Sequence, residues 1–221
     1  MRYTVERQDG YLHASVHGRD TADEMREFLL AVHAACRTHE LPRILISVRQ
    51  SRAVFRPEDY GLDGEKRGYA NELVSAACQI AIVGDTDEVN TANEYIEVVA
   101  RQQGMNVRAF RDERSARRWL TGTARRPARR YRFRRIVIAG APDDPGVYAL
   151  WDGEELVYYG RADGNGTTLR SQLLDLYYAD PKRATHYSWE VCKDPAAREA
   201  ELISEHERAH GRRPRLNEKA A

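Results

Sequence analysis

Gly146-Val147-Tyr148-Ala149-Leu150-Trp151-Asp152-Gly153-Glu154-Glu155-Leu156-Val157-Tyr158-Tyr159-Gly160 is the stretch from which the fold of the second half of the chain is read. Tyr148 to Trp151 and Leu156 to Tyr159 are short runs of aromatic and branched residues, the composition of β-strands. Asp152-Gly153 between them supplies the positive φ angles of a tight hairpin turn. Pro145-Gly146 opens the first strand and Gly160 closes the second. The hairpin sets Tyr148 and Tyr158 on paired strands, where two phenol hydroxyls near one sheet surface can hold a water or a phosphate.

On either side of the hairpin the pattern continues in short elements. Ile136-Val137-Ile138 reads as a strand, and Pro142-Asp143-Asp144-Pro145 as the turn that follows it. Asp163 to Gly166 is a loop, and Thr167 or Thr168 caps a helix through Tyr178. His186 to Cys192 reads as the third strand. Asp194-Pro195 places an N-cap before a proline at the first helical position, and the helix runs from Ala196 to about His210, ending at Gly211. The expectation is a small α+β unit over residues 136–221, a three-stranded sheet flanked by helices.

Gly146-Val147-Tyr148, nine residues, then Tyr158-Tyr159-Gly160 resembles the signature hairpin of the GIY-YIG endonucleases. Three later features fall in the order of that family's remaining motifs: Arg170 on the helix after the hairpin, Glu199 near the start of the next helix, and Asn217 closing Pro214-Arg215-Leu216-Asn217. The resemblance spans roughly residues 132–221 and implies a metal-dependent endonuclease that cuts DNA by single-step hydrolysis. It implies Tyr148 as general base, Tyr158 as positioning group and Asn217 as a brace, with Gly146 and Gly160 as support. The gap between the tripeptides is shorter than is usual for the family, the loop Arg161 to Thr168 is longer, and Tyr159 beside Tyr158 leaves the register open. A one-residue slip would exchange the sheet faces.

The chemistry of these residue types fits such a site. A phosphodiester resists attack because the nucleophile meets an anion and charge builds on the phosphoryl oxygens. Glu199 offers a hard carboxylate to one Mg²⁺ or Mn²⁺, an ion that keeps several of its waters. Arg170 offers a forked permanent cation suited to phosphate. Positions 199, 202 and 203 share a helix face, so Leu202 and Ile203 in a core bring Glu199 to the sheet edge. Glu205 is the alternative ligand. His206 and His210 have metal-ligand spacing with no third ligand evident.

The first half reads differently. Tyr3 to Gln8 and Tyr11 to His17 alternate around Asp9-Gly10, a hairpin. Thr21 to Glu24 has capping-box spacing before a helix over Met25 to Cys36. Ile44 to Val48 and Ile80 to Val83 are buried strands. Ser51 to Gly64 reads as a loop entering a helix over Lys66 to Ala77, Asp87 to Gln103 as a helix that Gly104 caps, Asn106 to Phe110 as a strand and Glu113 to Leu120 as a closing helix. This order makes an α/β sheet with packed helices. Over residues 1–121 it is similar to the SpoIIAA-like branch of the STAS fold, chiefly through Cys78-Gln79-Ile80-Ala81-Ile82-Val83-Gly84. Ser51 falls near the phosphorylated serine of that group, but Gln50 stands where an Asp usually precedes it, so Ser51 reads as a turn or cap residue.

Residues 122–135 hold seven arginines and no acid, and read as a basic linker. Arg129, Arg130, Arg132, Arg134 and Arg135 could neutralise phosphates, with Tyr131 and Phe133 available for stacking. From Gly122 onward 18 Lys+Arg stand against 15 Asp+Glu, a net +3 that the preceding residues reduce to +1. The partners expected are DNA and, through the first domain, a protein or a second copy. Three cysteines, Cys36, Cys78 and Cys192, are far apart and fit reduced thiols. No apolar run approaches the ~20 residues of a membrane span, and the expected location is cytoplasmic. A non-catalytic nucleic-acid or protein-binding module, or a signalling protein centred on the first half, are the alternative readings.

Overall fold

Alternation in the first residues produces the expected hairpin: β1 (Arg2–Gln8) pairs antiparallel with β2 (Tyr11–His17) around Gly10, whose φ is 81°. In this computed structural model residues 1–51, 78–122, 129–164 and 166–218 are described. The chain divides into two units, Met1–Arg126 and Pro127–Ala221.

In the first unit β3 (Arg43–Arg49), β4 (Gln79–Gly84) and β5 (Asn106–Phe110) extend the sheet in parallel, in the order β1-β2-β3-β4-β5. The continuous apolar runs of β3 and β4 follow from burial on both faces. Helix α1 (Ala22–His39) starts at the capping box of Thr21 and Glu24, and α2 (Asp87–Gln102) starts at Thr86, whose side chain accepts from the Val89 amide. Phe28 and Val32 of α1 and Val89 of α2 pack with Val16, Ile44, Ile46 and Ile82 on one face. On the other face α3 (Glu113–Leu120) sets Ala116, Trp119 and Leu120 against Tyr11, Leu45, Ala81 and Val83. The loop and helix expected between Ser51 and Ala77 lie, beyond Ser51, outside the described residues. The Ser51 hydroxyl donates to the Arg19 carbonyl and accepts from the Arg19 Nε.

Among the described residues the second unit carries an antiparallel sheet of four strands, where three were expected, in the order β6-β9-β7-β8. Its strands are β6 (Tyr131–Arg132), β7 (Gly146–Asp152), β8 (Glu155–Ala162) and β9 (His186–Val191). The extra strand comes from the segment read as a linker. Tyr131 and Phe133 are core residues whose rings meet Tyr187, and Phe133 also meets Tyr177. The expected strand Ile136–Ile138 is instead a helical turn, α4 (Arg135–Ile138), with Val137 and Ile138 buried. An apolar run this short carries no period of its own. Its place is settled by the Tyr187 hydroxyl, which donates to the Val137 carbonyl at 3.0 Å, while Tyr131-Arg132 takes the sheet edge beside β9.

Helix α5 (Leu169–Ala179) is capped by Thr168 and buries Leu169 and Leu173. Helix α6 (Pro195–His210) starts at Asp194 and ends at Gly211, φ 72°. Leu202 and Ile203 are half-buried rather than core residues.

Candidate functional site at the tyrosine hairpin

Which tyrosine joins Tyr148 depends on one residue. The turn is Gly153-Glu154, one position later than expected, with Asp152 opposite Glu155 and Trp151 opposite Leu156. Continued without a break, that register would put Tyr159 opposite Tyr148 and turn Tyr158 to the reverse face. A register shift between Leu150 and Trp151 leaves Val157 as an extra residue, so Leu150 faces Tyr158 and Tyr148 faces Gly160. Tyr148 and Leu150 point to the same side, so Tyr158 shares the face of Tyr148, with ring centroids 6.1 Å apart. Tyr159 goes to the opposite face, where it meets His206 of α6 edge to face.

Both motif glycines are places where a side chain would collide. A Cβ at Gly160 would stand 2.5 Å from the Tyr148 hydroxyl and 2.7 Å from a Tyr158 ring carbon. A Cβ at Gly146 would run into the Glu190 carbonyl and Leu169. The Tyr148 ring therefore lies across the bare backbone of β8, an edge strand, and is only 3 % exposed. Burial pushes its pKa well above that of a free phenol, and the neighbouring Tyr158 hydroxyl and Glu199 carboxylate push the same way. The Arg183 guanidinium pulls it back.

Glu199 lies in the second turn of α6 with its side chain 15 % exposed, its carboxylate acting on Tyr148. It accepts a 2.6 Å bond from Arg161 of β8, whose Nε donates to Asp163. Glu205 is exposed and raises the pKa of Tyr159, second to burial, on the reverse face. Of the two carboxylates weighed from sequence, Glu199 is the one beside Tyr148.

Arg170 is placed on α5 as expected, but its guanidinium serves the segment before β7. Its Nε donates to the Ala141 carbonyl at 2.8 Å and a terminal nitrogen meets Asp143 at 2.8 Å. The Arg170 amide also bonds the Pro142 carbonyl. Sequence reasoning missed two further cations in this part of the fold. One is Arg161, directly after Gly160. The other is Arg183, on the turn before β9, whose guanidinium carbon is 5.3 Å from the Tyr158 ring centroid. Adjacency to the hairpin motif was a usable signal for Arg161, whereas nothing local marks Arg183.

Asn217 sits beside the edge of β8. Its side chain accepts from the Tyr159 amide at 2.9 Å and donates to the Tyr159 carbonyl at 2.8 Å. The Leu216 amide bonds the Val157 carbonyl. Together these replace a strand neighbour over the bulge and fix the register that selects Tyr158.

The arginines expected to meet phosphate divide. Arg132 is 7 % exposed within β6, whereas Arg134 and Arg135 are exposed. Arg130 stacks on Trp151, 3.5 Å from its ring centroid, and pairs with Glu154. Arg129 lies over the Tyr131 ring. Arg125 and Arg126 lie outside the described residues.

Among the described residues no group of three or more His, Cys, Asp or Glu gathers as a metal cage. One carboxylate beside an oxygen-rich substrate suits a Mg²⁺ that retains water, and Glu199 is the residue that fits that role. Arg161 shares its carboxylate. His206 and His210 stack at 4.3 Å in a groove of about 430 Å³ whose walls include Trp151, Tyr159 and Arg212. In the first unit Ser47 is 1 % exposed and bonded to both His13 and Glu113. Burial opposes ionisation of Glu113, but bonds from Arg49 and Ser47 outweigh it and hold its carboxyl below the usual range. That network satisfies itself. No helix among the described residues is long and apolar enough to cross a membrane.

Comparison with protein-family models, curated proteins and solved structures yields no match.

Proposed function

We propose that the second unit is a metal-dependent phosphodiester hydrolase of the GIY-YIG type acting on DNA, and that the STAS-like first unit serves self-association, regulation or target choice. The observation that carries this reading is the pairing of Tyr148 with Tyr158 on one sheet face, made possible by a bulge and a glycine, with the Glu199 carboxylate acting on the more buried phenol.

In this reading a water attacks phosphorus in line and the bond to the leaving oxygen breaks, while the Tyr148 hydroxyl takes the water's proton as it passes its own on to solvent. Because burial keeps Tyr148 a neutral phenol, its hydroxyl orients the water before any proton moves, and Tyr158, less buried, completes the hydrogen bonding. Mg²⁺, when bound through Glu199, supplies positive charge toward the phosphoryl oxygens and the attacking water. Arg161 pairs with the Glu199 carboxylate in the free protein, and Asn217 holds β8. Exposed Arg134 and Arg135 are suited to flanking phosphates.

Incubation of the full chain with supercoiled plasmid and Mg²⁺ or Mn²⁺ is expected to give nicked DNA. Chelation, Tyr148→Phe and Glu199→Gln each abolish it. DNA binding without cleavage at either metal would replace this reading with that of a binding module.

A further inference from the structure

We infer that Arg183, not Arg170, is the cation that binds a non-bridging oxygen of the scissile phosphate, and that Arg170 is a positioning residue for the approach to β7. The inference rests on the hydrolase reading and names the phosphate-binding group of that site.

Arg183 lies over the Tyr158 ring at 5.3 Å, and Tyr158 is 6.1 Å from Tyr148, so its guanidinium belongs to the face that carries both phenols. Its charge also reaches the Tyr148 hydroxyl. The Arg183 Nε is buried and finds no hydrogen-bond partner among the described residues. No carboxylate among the described residues lies within ion-pair distance of it. Arg161, Arg170 and Arg198, by contrast, each close on an acid. That N–H is closed off from solvent, so an arriving anionic oxygen meets the terminal nitrogens of the guanidinium, and pairing the cation there offsets the cost of its partial burial. The guanidinium presents parallel donors in a rigid fork matched to phosphate, and stacking on Tyr158 limits its motion without using those donors.

Arg170 is already spoken for. Its Nε, one terminal nitrogen and its amide hold Ala141, Asp143 and Pro142, the residues that lead into Gly146. A phosphate taken by Arg170 would have to compete with Asp143 for the same fork.

The full chain and its Arg183→Gln, Arg183→Lys and Arg170→Gln variants are titrated with inorganic phosphate, following the arginine Nε–H resonances by NMR. Arg183→Gln is expected to weaken binding about tenfold or more, the value of hydrogen bonds to a charged group. Arg183→Lys falls between, having charge without a fork, and Arg170→Gln changes binding less than about twofold while lowering the melting temperature. In plasmid cleavage Arg183→Gln lowers kcat more than KM. Unchanged phosphate binding in Arg183→Gln, or an equal loss in Arg170→Gln, overturns the assignment. Absence of cleavage by the wild-type chain at any metal overturns the hydrolase reading instead, and the phosphate series then decides the role of Arg183 by itself.

Discussion

Tyr148 and Gly160 face each other across the hairpin, and the Tyr148 hydroxyl stands 2.5 Å from where a Cβ on residue 160 would be. The ring occupies the volume that a side chain there would need. Gly160→Ala must push a buried phenol off Tyr158, at a cost of about 1–3 kcal/mol for an overpacked site. Urea denaturation should register that loss. Cleavage should fall further than stability, because the methyl displaces a reacting group as well as filling space. An alanine variant as stable and active as wild type would show that the ring does not depend on this glycine.

Asn217 makes two bonds to the Tyr159 backbone from 58 residues away. Asn217→Ala leaves an amide and a carbonyl of an edge strand to water and should lose about 1–3 kcal/mol. Asn217→Asp keeps the acceptor and loses the donor, so its midpoint should fall between the two. Hydrogen exchange at the Tyr159 amide reports the same contact directly.

The raised pKa of Tyr148 gives a signed expectation for alkaline solution. Its cause is burial first, then Tyr158 and Glu199. Above pH ~10, where a free tyrosine ionises, the unfolded chain releases this proton and the folded chain keeps it. Stability from this group is therefore complete below pH ~10 and is lost as pH climbs through the folded-state pKa. Tyr148→Phe should flatten that limb of the midpoint-against-pH curve, and an unaltered limb would contradict the burial of the phenol.

Arg161 and a metal ion would seek the same Glu199 carboxylate. An exposed ion pair is worth up to about 1 kcal/mol, so Arg161→Gln should lower the Mg²⁺ concentration for half-maximal cleavage by up to about fivefold. A rise in that concentration would mean that Arg161 orients the carboxylate for the ion more than it competes with it.

Tyr131 tests where the arginine-rich segment ends and the fold begins. It is 1 % exposed, so Tyr131→Ala should cost about 3–5 kcal/mol, as for other large core aromatics. Arg134→Ala, on an exposed side chain, should stay within about 0.5 kcal/mol. Equal effects would place both residues outside the core.

Local signals account for most element boundaries. β2, β5 and α3 run where alternation, caps and glycines place them, and Thr21, Thr168, Asp194 and Gly211 act as the caps their positions announce. These are effects of neighbours in sequence, so sequence carries them. Tyr131-Arg132 and Ile136-Val137-Ile138 escaped it because a short apolar run has no period, and the choice between sheet edge and helical turn was made by Tyr187 and the free side of β9.

Sequence alone determined that a tyrosine-bearing hairpin is followed by a capped helix, a strand and a second capped helix, since turn chemistry, capping and alternation act within a few residues. Only tertiary structure decided that Tyr158 rather than Tyr159 shares the face of Tyr148, because Val157 bulges and Asn217 clamps the strand behind it. It also decided that Arg170 is held by Asp143 while Arg183 comes to rest on Tyr158. The reach of a guanidinium is set by which acids and rings the folded chain brings near it, and that proximity is a property of three dimensions.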